Sequence, residues 1–151
     1  LLRTPLLIAE FSNPSGDQVF GSRHTALVQP VDMAATLETW LSDAAGRNAE
    51  GGVASAGQSL LKALFGDTPD GRSLAFHLGP DGQLGVRNRH WALVTSADTL
   101  NQVEEADPDV LLFTKPDDQW DIHNVASQYG DEVETLLGKL RARCAARSAA
   151  R

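Results

Sequence analysis

Residues 110–147 set the tightest limit on how this chain can fold. Val110-Leu111-Leu112-Phe113-Thr114 is an apolar, partly β-branched run of strand length. A polar turn follows, Lys115-Pro116-Asp117-Asp118-Gln119-Trp120-Asp121-Ile122-His123-Asn124-Val125, holding acidic groups, an Asn and a Trp. From residue 131 the apolar positions Val133, Leu136, Leu137 and Leu140 recur at the spacing of one helix face. A strand and an amphipathic helix joined this closely each carry an apolar face that water penalises. Laying the helix on the sheet covers both faces at once.

The preceding residues supply the rest of that sheet. Leu74-Ala75-Phe76-His77-Leu78 reads as a strand, Gly79-Pro80-Asp81-Gly82 as a turn, and Leu84-Gly85-Val86-Arg87 and Trp91-Ala92-Leu93-Val94-Thr95 as two more strands. Residues 97–109 are acidic and loop-like. Residues 71–151 are therefore expected to form a small antiparallel sheet packed with a C-terminal helix, an α+β arrangement. Residues 1–70 read differently. Leu6-Leu7-Ile8 suits a buried strand. Asp32 stands as a helix N-cap ahead of a stripe of Met33, Thr36, Leu37, Trp40 and Leu41 that ends at Gly46. Leu60, Leu61, Leu64 and Phe65 mark a second short helix stopped by Gly66. One buried strand needs paired neighbours, so this first part is expected to belong to a longer polypeptide.

With 13 Lys and Arg against 20 Asp and Glu, the formal charge of −7 argues against a nucleic-acid partner. No apolar run approaches the roughly 18 residues a membrane helix needs, so a soluble chain is expected. Lys139, Arg141, Arg143, Arg147 and Arg151 gather on the last helix, where they complement its dipole; a binding patch is the alternative. The single cysteine, Cys144, leaves no disulfide framework and no cysteine-based metal site.

Four stretches, in order, resemble the sulfatase family. They are Arg3-Thr4-Pro5-Leu6-Leu7-Ile8, then Leu27-Val28-Gln29-Pro30-Val31-Asp32-Met33-Ala34-Ala35-Thr36-Leu37 with Gly57-Gln58-Ser59-Leu60-Leu61, then Val86-Arg87-Asn88-Arg89-His90-Trp91-Ala92-Leu93-Val94, and the closing turn through Asn124. The chain departs from the family pattern at Ala35 (usually Pro), Thr114 (usually Asp) and Asp121 (usually Glu). The resemblance implies the C-terminal portion of an arylsulfatase-like protein in the alkaline-phosphatase-like superfamily. Residues 1–70 would end the main α/β domain, and residues 71–151 would form the small C-terminal subdomain. It implies a parent that hydrolyses sulfate esters with a formylglycine and a calcium ion, in a family often periplasmic or secreted. The implied partner is the remainder of the parent polypeptide, with a homo-oligomer through uncovered surface as a further possibility. A stand-alone interaction module and a related phosphoesterase are the rival readings.

The chemistry of that family is not legible in these residues. Cys144 is followed by Ala145-Ala146-Arg147, without the Pro of the C/S-x-P-x-R modification motif. Glu104-Glu105-Ala106-Asp107 and Asp117-Asp118 lack a calcium-loop register. His24, His77, His90 and His123 form no paired metal motif, and no G-x-S-x-G elbow or phosphate-binding glycine loop occurs. No catalytic, cofactor or metal residue is expected in this chain. Trp40 and Trp91 are expected in the core, Trp120 is expected to pack across the closing helix or against the rest of a parent protein, and Trp120, Asp121 and Asn124 are expected to hold the fold together.

Overall fold

A computed structural model describes residues 6, 8, 24–46, 57–64, 72–101 and 109–149. Four helices, α1 (Pro30–Ala44), α2 (Leu61–Leu64), α3 (Ala97–Asn101) and α4 (Gly130–Ala149), accompany four strands. The strands β1 (Ala75–Leu78), β2 (Gln83–Arg87), β3 (Trp91–Ser96) and β4 (Val110–Thr114) form one antiparallel sheet in chain order. The expected α+β architecture, a small antiparallel sheet with a closing helix, is the one observed.

The register explains why α4 lies where it does. Val86 pairs with Leu93, and Leu93 with Leu112, so these three side chains form one row across three strands. All three are fully buried, as is Leu136 of α4. Leu137 and Leu140, one turn further, close over the same face together with Val110 and Leu100. Alternation within the strand sets the opposite orientation for Leu111, which is 40% exposed. Between β1 and β2 the Gly-Pro-Asp-Gly turn contains a single 3₁₀ turn, Pro80–Gly82. Gly82 has φ +74°, a conformation glycine adopts without a Cβ clash, and the Gly79 N–H donates to the Gln83 carbonyl at 2.8 Å.

Several expectations need correction. Residues 97–109 are not all loop, since Ala97–Asn101 is helical and the Ser96 hydroxyl accepts the Thr99 N–H at 3.0 Å. Leu100 thereby reaches the core. The acidic stretch 104–107 lies outside the described residues, as do Phe65 and Gly66. Asp32 is not the N-cap of α1 but its third residue. Gln29 occupies the cap, and Pro30 supplies the fixed φ that starts the helix. The buried strand expected at Leu6-Leu7-Ile8 is absent at the two positions described, where Leu6 and Ile8 lie in no strand and are about half exposed.

The largest correction concerns α1. Of its stripe Met33, Thr36, Leu37, Trp40 and Leu41, expected to be buried, Thr36 is buried, whereas Met33, Leu37, Trp40 and Leu41 are 46%, 53%, 56% and 60% exposed. The buried positions are Asp32, Ala35 and Thr36, so the helix is turned toward its polar edge. A polar tether, rather than apolar packing, holds that side of α1.

Candidate functional site

Asp32 is the centre of the tether. Its position in the first turn of α1 places the carboxylate beside N–H groups that lack partners within the helix. It accepts the Gln29 N–H at 2.8 Å and, from outside the helix, the Gln58 N–H at 2.8 Å. The Arg72 guanidinium donates Nε at 2.7 Å and also bonds through Nη2, making an ion pair in which Asp32 is almost wholly enclosed. Burial pushes the Asp32 pKa up. The Arg72 hydrogen bonds and the Gln58 and Gln29 N–H groups outweigh it, so the carboxyl sits below its ordinary value. The same pairing raises the Arg72 pKa.

Neighbouring contacts extend the tether. The Thr36 hydroxyl donates to the Asp32 carbonyl at 2.6 Å and accepts the Leu60 N–H at 2.9 Å. The Gln29 side chain donates to the Phe76 carbonyl at 2.7 Å, joining the start of α1 to β1. Gly57 permits this close approach, because a Cβ there would meet the Val31 carbonyl and lie 2.8 Å from the Ala35 Cβ.

The closing turn is a second polar node. Lys115 lies at the end of β4 with its side chain 1% exposed. Its ammonium group bonds the Asp118 carbonyl and the Asp121 carboxylate, and lies 5.9 Å from the centre of the Phe113 ring. The Asp118 carboxylate accepts the N–H groups of Ile122 and His123, each at 2.9 Å, and these bonds lower its pKa. Asn124 Oδ1 accepts the Leu112 and Ala126 N–H groups, both at 3.0 Å, stitching the turn to β4. Asp121 and Asn124 thus hold the turn as expected. Trp120 is 77% exposed, so of its two expected placements it does not pack across the closing helix. Trp91 leans on the core and on Tyr129, with ring centres 4.7 Å apart, whereas Trp40 stands largely in solvent.

The charges of both nodes are paired, their acceptors are filled, and neither presents a nucleophile beside a base. Among the described residues no three His, Cys, Asp or Glu side chains converge as a metal site. Cys144 sits half-buried against the sheet core on α4. His24, His90 and His123 are exposed and scattered. Arg72 and Lys115, which organise the two nodes, were not singled out by sequence reasoning. Arg72 is 40 residues from its partner Asp32. Lys115 resembles any surface lysine until its burial is known.

No protein-family model and no curated protein matches the chain. A structural match does exist, to a solved sulfatase from Bacteroides thetaiotaomicron described with the metabolism of multiple glycosaminoglycans. The identity is 19% and the TM-score 0.55, over 74% of this chain. The chain spans 24% of the length of that structure, about a quarter. The likeness shows that the chain shares its fold with part of that structure.

Proposed function

We propose that this chain is the C-terminal structural part of a sulfatase-like sulfuric ester hydrolase. Residues 1–70 end the main α/β domain, and residues 71–151 form the small subdomain. The observation that carries the reading is the fold shared with a quarter of a solved sulfatase. The outward apolar stripe of α1 supports it, since a helix that turns Leu37, Trp40 and Leu41 to water has a face suited to further polypeptide. Trp120 and Ile122, 77% and 67% exposed on a tightly bonded turn, add a second such surface.

In this reading the nucleophile, the formylglycine and the calcium ligands belong to the preceding part of the polypeptide, which is the partner of this chain. The chain itself supplies rigidity and one backing surface. Two measurements test the proposal. The purified chain, assayed with an aryl sulfate and calcium, is expected to show no turnover; activity that copurifies with it would overturn the assignment. The reading frame upstream is expected to encode C/S-x-P-x-R. A Ser or Thr nucleophile without that motif would place the parent among phosphoesterases, and a start codon near Leu1 would make the chain an independent module.

A further inference from the structure

A cavity of about 220 Å³ opens where the edge of the sheet meets α4, with Gln29 of the Asp32 tether among its lining residues. Its floor is apolar, formed by Phe76 and Leu84 from β1 and β2 and by Leu140 from α4. Its rim is basic. Arg143 and Arg147, one helical turn apart, stand on the α4 side, and His77 stands on the β1 side. The Arg143 guanidinium is 5.7 Å from the centre of the Phe76 ring, so the cation lies directly over the apolar floor.

Two facts distinguish this arrangement from ordinary helix-surface charge. The chain has seven more acidic than basic side chains, yet none of the described residues lining the cavity is acidic. Nor does Arg143 or Arg147 pair with a carboxylate among the described residues. A third arginine of α4, Arg141, faces elsewhere, donating to the Leu100 carbonyl at 3.2 Å. The positive charge is thus gathered at the cavity mouth above a hydrophobic base.

We infer that this cavity binds a small amphiphilic oxyanion: one aromatic or short aliphatic group seated on Phe76, Leu84 and Leu140, with a phosphate-, sulfate- or carboxylate-type head held by Arg143 and Arg147. The size fits one ring and its head, since a dry cavity of roughly 150 Å³ accommodates benzene. Guanidinium groups match the geometry of such oxyanions through paired N–H donors. Head and body each contribute, so neither alone binds well. The inference does not depend on the sulfatase reading.

Cys144 lies in the cavity wall and reports occupancy. The full chain is alkylated with iodoacetamide in the presence of phenylphosphonate, inorganic phosphate or benzyl alcohol. Phenylphosphonate is expected to slow Cys144 alkylation saturably, by about fivefold or more, because it shields the thiol. Phosphate alone and benzyl alcohol alone are expected to protect much less. Arg143→Gln and Arg147→Gln are each expected to raise the apparent Kd for phenylphosphonate about tenfold, the size expected for one lost charge-assisted contact. Amide chemical-shift changes on titration are expected to centre on residues 76–84 and 140–147. Absence of protection, equal protection by benzyl alcohol, or a Kd unchanged in both variants would each overturn the inference. Both arginines are exposed, so folding is expected to survive their replacement.

Discussion

Asp32 shows how one side chain can hold together segments far apart in the chain. It terminates the first turn of α1, the loop at Gln58 and the arm bearing Arg72, all within one carboxylate. Because its pKa is depressed in the folded protein, its contribution is complete above the unfolded value of about 3.9 and is lost as pH falls through the lower folded value. Urea unfolding is therefore expected to show falling stability below about pH 4, and Asp32→Asn is expected to flatten that dependence. An unchanged acid slope in the variant would assign the loss to other carboxylates. Asp32→Ala, which strands Arg72, is expected to cost about 3–5 kcal/mol at neutral pH. The buried Lys115 makes a parallel case in the closing turn. Lys115→Met removes the ammonium group that bonds Asp121 and the Asp118 carbonyl and is expected to destabilise by about 1–3 kcal/mol, with faster hydrogen exchange at Ile122 and His123. Unaltered exchange there would show that Asp118 and Asn124 suffice to hold the turn.

At the scale of elements, what was legible followed from local rules. The strands lie within a residue or so of their expected ends, because alternation and the Gly79–Gly82 turn signal act over a few residues. The face of α4 was legible for the same reason: Val133, Leu136, Leu137 and Leu140 have a sheet directly before them to cover. The face of α1 was not. A 3.6-residue period reveals that a helix has an apolar side, but not which part of the protein covers it. The polar side of α1 is held by Gln58, Leu60 and Arg72, which are 24 to 40 residues away in sequence. Gly57, quoted within a family-like motif, acquires a physical meaning only once α1 is seen to pass against it. A contrast within the sheet checks the packing argument. Leu136→Ala is expected to cost about 2–5 kcal/mol, and Leu111→Ala on the open face about 0.5 kcal/mol. Comparable losses at both sites, measured by chemical denaturation, would mean that the face bearing Leu111 is also covered.

For the molecule as a whole, the distribution of apolar surface is the most consequential feature. The α4 side of the sheet is closed, whereas Met33, Leu37, Trp40 and Leu41 form a continuous exposed stripe on α1. No helix among the described residues is long and apolar enough to cross a membrane, so the stripe is not part of a spanning helix. Exposed side chains that contribute little to folding still drive association, because apolar area removed from water is worth about 25 cal/mol per Å² wherever it is buried. The isolated chain is expected to self-associate at high concentration through α1. Trp40→Ser with Leu41→Ser is expected to shift sedimentation toward the monomer while leaving the urea midpoint nearly unchanged, within about 0.5 kcal/mol. A large fall in stability would show that these side chains are buried within the chain's own fold. A monomer already in the parent chain would mean that the net charge of −7 outweighs the apolar stripe. Association that persists in the double variant would move the contact to other exposed apolar residues, among which Trp120, Ile122 and Leu78 are the most exposed of those described.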